Sequence, residues 1–203
     1  MAICIPSGDM MHTDCAMACM NMMAHVMRNR RDIHLFIINE KQTILEVGRH
    51  RLVMNALGFK ADYILWVDTD MQFSYDTLTR LIDSGKDIIG LQALMRAEPH
   101  ASNTYDFEDK AILYCDDIRE VKYIGTGLLL TKTEVFTKIG VPYFKTTYTP
   151  ETGMWQGEDL NFCDRVRAAG YKIYCHGPLS KNLFHIGAKK YGFKQDANNL
   201  SNV

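Results

Sequence analysis

The sequence predicts an α/β protein built on a doubly wound, mainly parallel sheet. Apolar runs of strand length alternate with segments of helical periodicity throughout residues 1–95, and this alternation is typical of parallel sheets joined by helices. One such run, Tyr63–Val67, leads directly into Asp68-Thr69-Asp70. Because ligands bind at the carboxyl ends of parallel strands, polar residues that follow such runs are the first candidates for a site.

Turn and capping residues set the limits of the elements in this half. The loop Pro6-Ser7-Gly8-Asp9 ends the first strand, and Gly58 and Gly85 each end a helix. The run Ile33–Ile38 is almost entirely apolar, which predicts a fully buried strand. The predicted elements alternate from strand to helix in the order Ala2–Ile5, 14–28 (with Thr13 or Asp14 as N-cap), Ile33–Ile38, Thr43–Leu57, Tyr63–Val67, Ser74–Ser84 and Asp87–Leu91.

The second half is less regular. Residues 96–122 are polar and predict an insertion over the sheet, and residues 142–157 predict a long loop that closes over a ligand. The other predicted elements are a strand, two helices and a last strand, at Tyr123–Leu130, Lys132–Ile139, Glu158–Ala169 and Tyr171–Cys175. A chain of 203 residues is expected to form one domain.

Composition and charge exclude some classes of function. The formal net charge is −1, whereas proteins that bind duplex nucleic acid usually carry a strong basic excess, so no nucleic-acid partner is expected. No apolar run predicts a membrane span, and residues 1–6 do not resemble a signal peptide. The six cysteines form no C-x-x-C pair and are predicted to be buried free thiols, which indicates the cytoplasm. The six methionines from Met10 to Met23 are predicted to pack in the core.

The carboxylates of Asp68 and Asp70 are the strongest candidates for chemistry. Two acids at the tip of a buried strand repel each other unless a cation or a proton lies between them. Oxygen ligands suit Mg²⁺ or Mn²⁺, and these ions usually bind substrate phosphates as well. The alternative is a pair of turn-forming aspartates that cap the next helix.

A second acidic pair, Glu158-Asp159, opens a predicted helix. One of its carboxylates could act as a general base or orient an acceptor hydroxyl. Alternatively, both could simply complement the helix dipole. Trp155 precedes the pair and could offer an aromatic face to a sugar or lie in the core.

Four further segments contain candidate binding residues. His185 could complete a metal site, and Lys189 could neutralise a phosphate. Arg49 could reach a base or a diphosphate, or be a solvated helix residue. Pro6-Ser7-Gly8-Asp9 could hold a nucleotide base and ribose, or be an ordinary loop. Gly125-Thr126-Gly127 indicates either a bulge or the close approach of a ligand to the backbone.

In chain order these segments resemble the motifs of A-type (GT-A) glycosyltransferases, most closely the compact members encoded by viruses and phages. The resemblance covers about residues 2–190, and it rests on the order and spacing of Ile5-Pro6-Ser7-Gly8, Gly48-Arg49-His50, Trp66-Val67-Asp68-Thr69-Asp70, Tyr123-Ile124-Gly125-Thr126-Gly127, Gly157-Glu158-Asp159 and His185-Ile186-Gly187. It implies a three-layer fold with a nucleotide-binding half at about 1–95, a half for the donor sugar and acceptor at about 96–192, and a polar tail at 193–203. His50 is a departure, because relatives often have Asn there.

The resemblance also implies a function. It is that of a metal-dependent, hexosyltransferase-like enzyme that moves a sugar from a nucleoside-diphosphate sugar, in particular a UDP-sugar, to a hydroxyl of a glycan or glycoprotein. Mn²⁺ or Mg²⁺ would be bound by Asp68, Asp70 and His185, and Asp159 or Glu158 would be the base. The residues implied to bind the donor are Pro6, Ser7, Gly8, Asp9, Arg49, Asp68, Thr69, Thr126, Gly127 and Lys189. The expected location is the cytoplasm, which for a viral protein is that of the host.

Two alternative functions share some of these features. A phosphatase of the haloacid dehalogenase type also places D-x-D after an apolar strand, but its pattern has Thr or Val at the position of Gln72. A non-catalytic module would keep the fold and bind a nucleotide sugar without turnover.

Overall fold

A computed structural model describes residues 1–96, 101–113, 115–187 and 190–191. Its helices are α1 (Thr13–Asn29), α2 (Leu45–Gly58), α3 (Thr77–Asp83), α4 (Thr133–Ile139), α5 (Glu158–Ala168) and α6 (Gly177–Ser180). Its strands are β1 (Ala2–Ser7), β2 (Phe36–Lys41), β3 (Tyr63–Val67), β4 (Met71–Gln72), β5 (Ile88–Gly90), β6 (Thr104–Tyr105), β7 (Ile118–Val121), β8 (Tyr123–Ile124), β9 (Leu128–Lys132), β10 (Thr147–Thr149), β11 (Met154–Gln156), β12 (Ile173–His176), β13 (Phe184–Ile186) and β14 (Lys190–Tyr191).

A seven-stranded sheet in the order β2-β1-β3-β9-β5-β12-β7 forms the centre of the molecule. β1 pairs in parallel with β2 and β3, and β5 pairs in parallel with β12. β9 lies antiparallel between β3 and β5, and β7 lies antiparallel to β12 at the edge. The predicted mainly parallel sheet is confirmed, and strands from both halves of the chain contribute to it.

Helices cover both faces of the sheet, because successive side chains of a strand point to opposite faces. In β3, Leu65 and Val67 belong to a core cluster shared with α1 and α3. Ile64 and Trp66 belong to the opposite cluster, shared with α2, α4 and α5. The three-layer arrangement is therefore confirmed, and a strand packed on both faces delivers the Asp68 segment to the edge of the sheet.

The second strand lies later in the chain than predicted. A fully buried strand is predicted at Ile33–Ile38, whereas β2 spans Phe36–Lys41 and buries only Ile38. β2 is the outermost strand on its side of the sheet. An edge strand needs fewer apolar contacts than a central one, and an apolar run by itself does not distinguish the two.

Two segments of the second half also differ from prediction. The strand predicted at Tyr123–Leu130 is interrupted at Gly125-Thr126-Gly127, where β8 ends before β9 begins. Residues 142–157 contain the antiparallel hairpin β10–β11 in place of a long loop. The interruption places a short segment without strand structure, Gly125-Thr126-Gly127, next to Asp68. The hairpin β10–β11 leads directly into α5.

The methionines of the first helix do not all pack in the core, contrary to prediction. Met22 is buried, but Met10, Met17 and Met20 are exposed. A flexible thioether fits either environment, so the number of methionines does not decide their burial. All six cysteines are buried free thiols, as predicted. Among the residues that the structure describes, no helix has the length and apolar character required to cross a bilayer.

Hydrogen bonds from Arg165 link α5 to the segment that follows α4. Its guanidinium donates hydrogen bonds to the carbonyl oxygens of Ile139 (2.8 Å), Gly140 (2.9 Å), Tyr143 (3.2 Å) and Pro142. We expect Arg165→Ala to lower the free energy of unfolding by about 3 kcal/mol, because several carbonyls lose a charged donor. Urea denaturation followed by circular dichroism measures this change.

The control for this experiment is Arg51→Ala. Arg51 is an exposed residue of α2 that forms one ion pair with Glu40, 2.9 Å apart. Exposed pairs contribute at most about 1 kcal/mol. Equal losses in the two variants would show that Arg165 does not hold this junction.

Candidate functional site

Three backbone hydrogen bonds hold the segment Asp68-Thr69-Asp70 at the carboxyl end of β3. The amide of Asp68 donates to the carbonyl of Gly127 (2.8 Å). The carbonyl of Thr69 accepts from the amide of His12 (2.9 Å), and that of Asp70 accepts from the amide of Ile186 (2.7 Å). The segment is thus fixed by β9, α1 and β13, which come from distant parts of the sequence.

The two aspartates do not cap the next helix. α3 begins at Thr77, and its N-cap residue is Asp76. Asp68 and Asp70 instead direct their carboxylates to charged partners. The two aspartates lie in a turn, in which the amide of Met71 donates to the carbonyl of Asp68 (3.3 Å), but the interpretation that they cap the next helix is wrong.

Buried Arg49 connects the two acidic pairs. Its side chain is only 2% exposed, and its Nη2 lies 3.1 Å from Oδ1 and 3.3 Å from Oδ2 of Asp68. Its Nη1 lies 3.7 Å from Oε1 of Glu158. The interpretation of Arg49 as a solvated helix charge is wrong. Within the described part of the chain, the buried Nη1 and Nε atoms have no hydrogen-bond partner, so the guanidinium has donors that its two acidic neighbours do not satisfy.

Asp70 belongs to a second cluster, with His185 and Arg96. Its Oδ2 lies 3.3 Å from Nε2 of His185 and 3.2 Å from Nη2 of Arg96. The other ring nitrogen of His185, Nδ1, lies 3.1 Å from the carbonyl oxygen of Leu94. A carbonyl only accepts, so Nδ1 carries a proton and Nε2 is the ring nitrogen that faces Asp70. When the ring is protonated, Nε2 donates to Oδ2 of Asp70, and when the ring is neutral, Nε2 offers its lone pair to a cation.

Burial and neighbouring charges shift the pKa values of three acids in opposite directions. Burial raises the pKa of Asp68, while Arg49 opposes the rise and Asp70 adds to it. Burial also raises the pKa of Glu158 against the effect of Arg49. For Asp70, the effect of burial is outweighed by the hydrogen bond and charge of His185 and by Arg96, and the pKa is lowered. Of these three acids, Asp70 is the one whose pKa is lowered.

A cleft of about 390 Å³ opens between these clusters. Its lining includes the predicted residues Pro6, Arg49, Asp68, Thr69, Asp70, Thr126, Gly127, Glu158, Asp159 and His185. Gly127 keeps the cleft open, since a Cβ there would lie 2.4 Å from Cε of Met71 and 3.3 Å from Oδ2 of Asp68. The hydroxyl of Thr126 is buried and has no partner within the described residues. One cleft therefore gathers most of the predicted residues.

The remaining loop residues line a neighbouring hollow. Ser7, Gly8 and Asp9 face a space of about 340 Å³ together with Asn39 and Lys41, and Thr69 lines both this space and the cleft. The amide nitrogen of Asn39 donates to Oγ of Ser7 (2.8 Å), and Lys41 forms an ion pair with Asp9. Lys189, the predicted phosphate ligand, lies outside the described residues.

The second acidic pair lies at the start of α5, across the cleft from β3. Gly157 is the N-cap residue, and both Glu158 and Asp159 line the cleft. Asp159 Oδ1 accepts from the backbone amide of Leu160 (2.8 Å), and Glu158 forms the ion pair with Arg49. The pair begins a helix, as predicted, and its side chains also face the other candidate residues.

Two polar cleft residues are absent from the sequence prediction. Arg96 follows β5 and pairs with Asp70. Asn103 lies in the segment predicted only as an insertion, and its Oδ1 accepts from the amide of Ala93 (2.9 Å) and from Oγ1 of Thr104 (3.1 Å). Its Nδ2 lies beside Gly125, which also lines the cleft. Neither residue belongs to a local motif, and only the folded chain brings them to Asp70 and Gly125.

The fold is shared with several solved structures. The structure is similar to A197 from STIV, with a TM-score of 0.60 and 18% identity over 92% of this chain and 85% of that chain. It is similar to TarS 1–349 of S. aureus in complex with UDP-GlcNAc, with a TM-score of 0.55 and 12% identity over 94% of this chain and 57% of that chain. A UDP-glucose pyrophosphorylase complexed with UDP-glucose matches with a TM-score of 0.50 and 9% identity, over 86% and 89% of the two chains.

Identities this low establish a GT-A-like fold and nothing finer. The chain spans little more than half of the TarS chain it matches. No protein-family model and no curated protein matches the sequence.

Proposed function

We propose that this chain is a metal-dependent glycosyltransferase of the compact type encoded by viruses and phages. It would move a sugar from a nucleoside-diphosphate sugar to a hydroxyl of a glycan or glycoprotein. The observation that carries the proposal is the convergence of two acidic pairs, Asp68 with Asp70 and Glu158 with Asp159, on one cleft with buried Arg49 between them. The GT-A-like fold supports it, and so do the UDP-sugars named with two of the similar structures.

The chemistry of the donor set suits a divalent cation. Asp70 and His185 present one carboxylate oxygen and one ring nitrogen to each other, 3.3 Å apart, and the bond from Nδ1 of His185 to the carbonyl of Leu94 leaves Nε2 as the nitrogen available to a metal. Within the described residues, no three His, Cys, Asp or Glu side chains lie close enough together to form a metal site. Mn²⁺ and Mg²⁺ commonly complete their coordination with phosphate oxygens and water. Asp70 and His185 would hold the ion, Asp68 would approach it when the donor binds, and the ion would neutralise negative charge on the leaving nucleoside diphosphate.

The other cleft residues would bind the donor. The hollow formed by Ser7, Gly8 and Asp9 has the size to accept a base and ribose and is lined by both polar and apolar groups, with Thr69 at its junction with the cleft. The guanidinium of Arg49, and Lys189 further along the chain, would approach the diphosphate. Pro6 would flank it, and the unpartnered hydroxyl of Thr126 and the backbone of Gly127, where a larger residue would meet Met71, would border the sugar.

Asp159 is the better candidate for the base. A general base must be ionised and able to approach the acceptor hydroxyl. Glu158 is engaged by Arg49, whereas Asp159 has no ion pair among the described residues and lines the same cleft. In an inverting reaction, Asp159 would take the acceptor proton as the oxygen attacks the sugar, while Glu158 would hold Arg49 in place.

The proposal predicts slow, metal-dependent release of nucleoside diphosphate in the absence of an acceptor. The purified chain is incubated with Mn²⁺ and a panel of UDP- and GDP-sugars, and free nucleotide is measured by chromatography. We expect one donor, a UDP-sugar, to be hydrolysed, and EDTA to stop the reaction. Cleavage of p-nitrophenyl phosphate would indicate the phosphatase instead. Tight binding of a nucleotide sugar without any release would indicate the non-catalytic module.

A further inference from the structure

The hairpin β10–β11 carries an exposed aromatic pair. Tyr148 and Trp155 are directly opposite each other on the two strands, with ring centroids 5.0 Å apart and planes inclined by 46°. Trp155 is 69% exposed and Tyr148 is 49% exposed. The interpretation of Trp155 as a core residue is therefore wrong. Two large rings that remain in solvent form a ready apolar surface for a ligand.

Polar contacts at the base of the hairpin hold this surface in place. Nε2 of Gln156 donates to Oδ2 of Asp164 on α5 (2.6 Å), and its Oε1 accepts from Oγ1 of Thr147 (3.1 Å). The amide and hydroxyl of Thr146 both donate to Oε2 of Glu46 on α2, at 3.1 and 2.7 Å. Because neighbouring residues of a strand point to opposite faces, the side chain of Gln156 is directed to α5 and that of Trp155 away from it.

The aromatic pair is close in the chain to the proposed base. Trp155 is four residues before Asp159, with Gly157 between them. Four residues span at most about 14 Å, a distance that a short oligosaccharide covers. A sugar ring on Trp155 and a hydroxyl at Asp159 can therefore belong to one acceptor molecule.

We propose that Tyr148 and Trp155 form a binding platform for a pyranose ring of a carbohydrate acceptor. The inference rests on the proposed function, which requires a hydroxyl acceptor at Asp159. The apolar C–H face of a gluco-configured sugar matches an aromatic face, and its hydroxyls remain in water at the rim.

Tryptophan fluorescence gives a direct test. The chain has two tryptophans, and Trp66 is fully buried, so a change on ligand addition reports on Trp155. The wild-type protein is titrated with cellotetraose, chitotetraose and maltotetraose. It is also applied to an array of immobilised glycans. We expect a blue shift with at least one oligosaccharide and saturable binding on the array.

Variants of the hairpin show whether the two rings bind the glycan or only support the fold. Trp155→Ala is expected to weaken glycan binding roughly tenfold or more, and Tyr148→Ala to weaken it less. Trp155→Phe keeps a ring and should restore much of the affinity. Met154→Ala is the matched control, because Met154 is an exposed residue of the same strand without a ring, and it should bind glycans as the wild type does.

Two results would overturn the inference: no glycan binding by the wild type on any surface, or equal binding by the wild type and Trp155→Ala. Binding of UDP by Trp155→Ala, measured by calorimetry, shows that the cleft of this variant is intact. If the donor panel gives no nucleotide release while glycans still bind through Trp155, the proposed transferase fails and the carbohydrate platform stands. If the donor is hydrolysed and Trp155→Ala binds glycans normally, the transferase stands and the platform fails.

Discussion

Asp70→Asn is expected to abolish metal-dependent sugar transfer, with a loss in kcat of roughly a thousandfold or more. The amide keeps the shape of the side chain but removes the charge of the oxygen that faces His185 and Arg96. A neutral amide is a poor ligand for Mn²⁺, so nucleotide binding should also lose its dependence on the metal. Release of nucleotide from the preferred donor, measured at several Mn²⁺ concentrations, gives both quantities.

The control is Asp32→Asn, an exposed acid that pairs with Arg30 (2.9 Å) and does not line the cleft. It should retain wild-type transfer. Thermal unfolding of Asp70→Asn shows whether the variant is folded. A folded Asp70→Asn protein with full activity would remove the metal-binding role from this residue.

Asp159→Asn is expected to lower transfer by a factor of about 10² to 10⁴, because the acceptor loses its general base. Binding of UDP and Mn²⁺ should persist, since Asp159 makes no contact with Arg49 or Asp70 among the described residues. The acidic limb of the profile of kcat/KM against pH should also change, because it reports the ionisation of the base.

Glu158→Gln is the comparison for this variant. It keeps the side-chain shape but weakens the contact with Arg49, so we expect a smaller loss of transfer together with weaker donor binding. The opposite ranking, with Glu158→Gln inactive and Asp159→Asn nearly normal, would assign the base to Glu158. Normal transfer in both variants would indicate a reaction without a protein base from this pair.

Local patterns predicted the central strand well. Tyr63–Val67 is buried on both faces, and its boundaries follow from five apolar residues between polar neighbours. The same reasoning failed at β2, because Ile33–Ile38 contains similar residues but the chain reaches the sheet edge only at Phe36. The exposed methionines of α1 show the same limit: composition describes what a segment can bury, whereas packing decides what it does bury.

In the candidate site, some residues could be predicted from local sequence and others could not. Asp68 and Glu158 were candidates because Asp68 follows a buried strand and Glu158 opens a helix. Arg96 and Asn103 were missed because their roles depend on contacts made across the fold, with Asp70 and with Gly125. Arg49 lies between these cases: its place on a helix was predicted, but its burial between two acids follows only from the packing of α2 against the sheet.

Isothermal calorimetry with Mn²⁺ and nucleoside diphosphates is the decisive measurement. If the two acids at the end of β3 bind a cation and, through it, a nucleotide, addition of UDP in the presence of Mn²⁺ should release or absorb saturable heat. This heat should be absent in EDTA and with the Asp70→Asn protein. If neither UDP nor any other nucleoside diphosphate produces heat with Mn²⁺ or Mg²⁺, the cleft does not bind the donor and the transferase assignment is wrong.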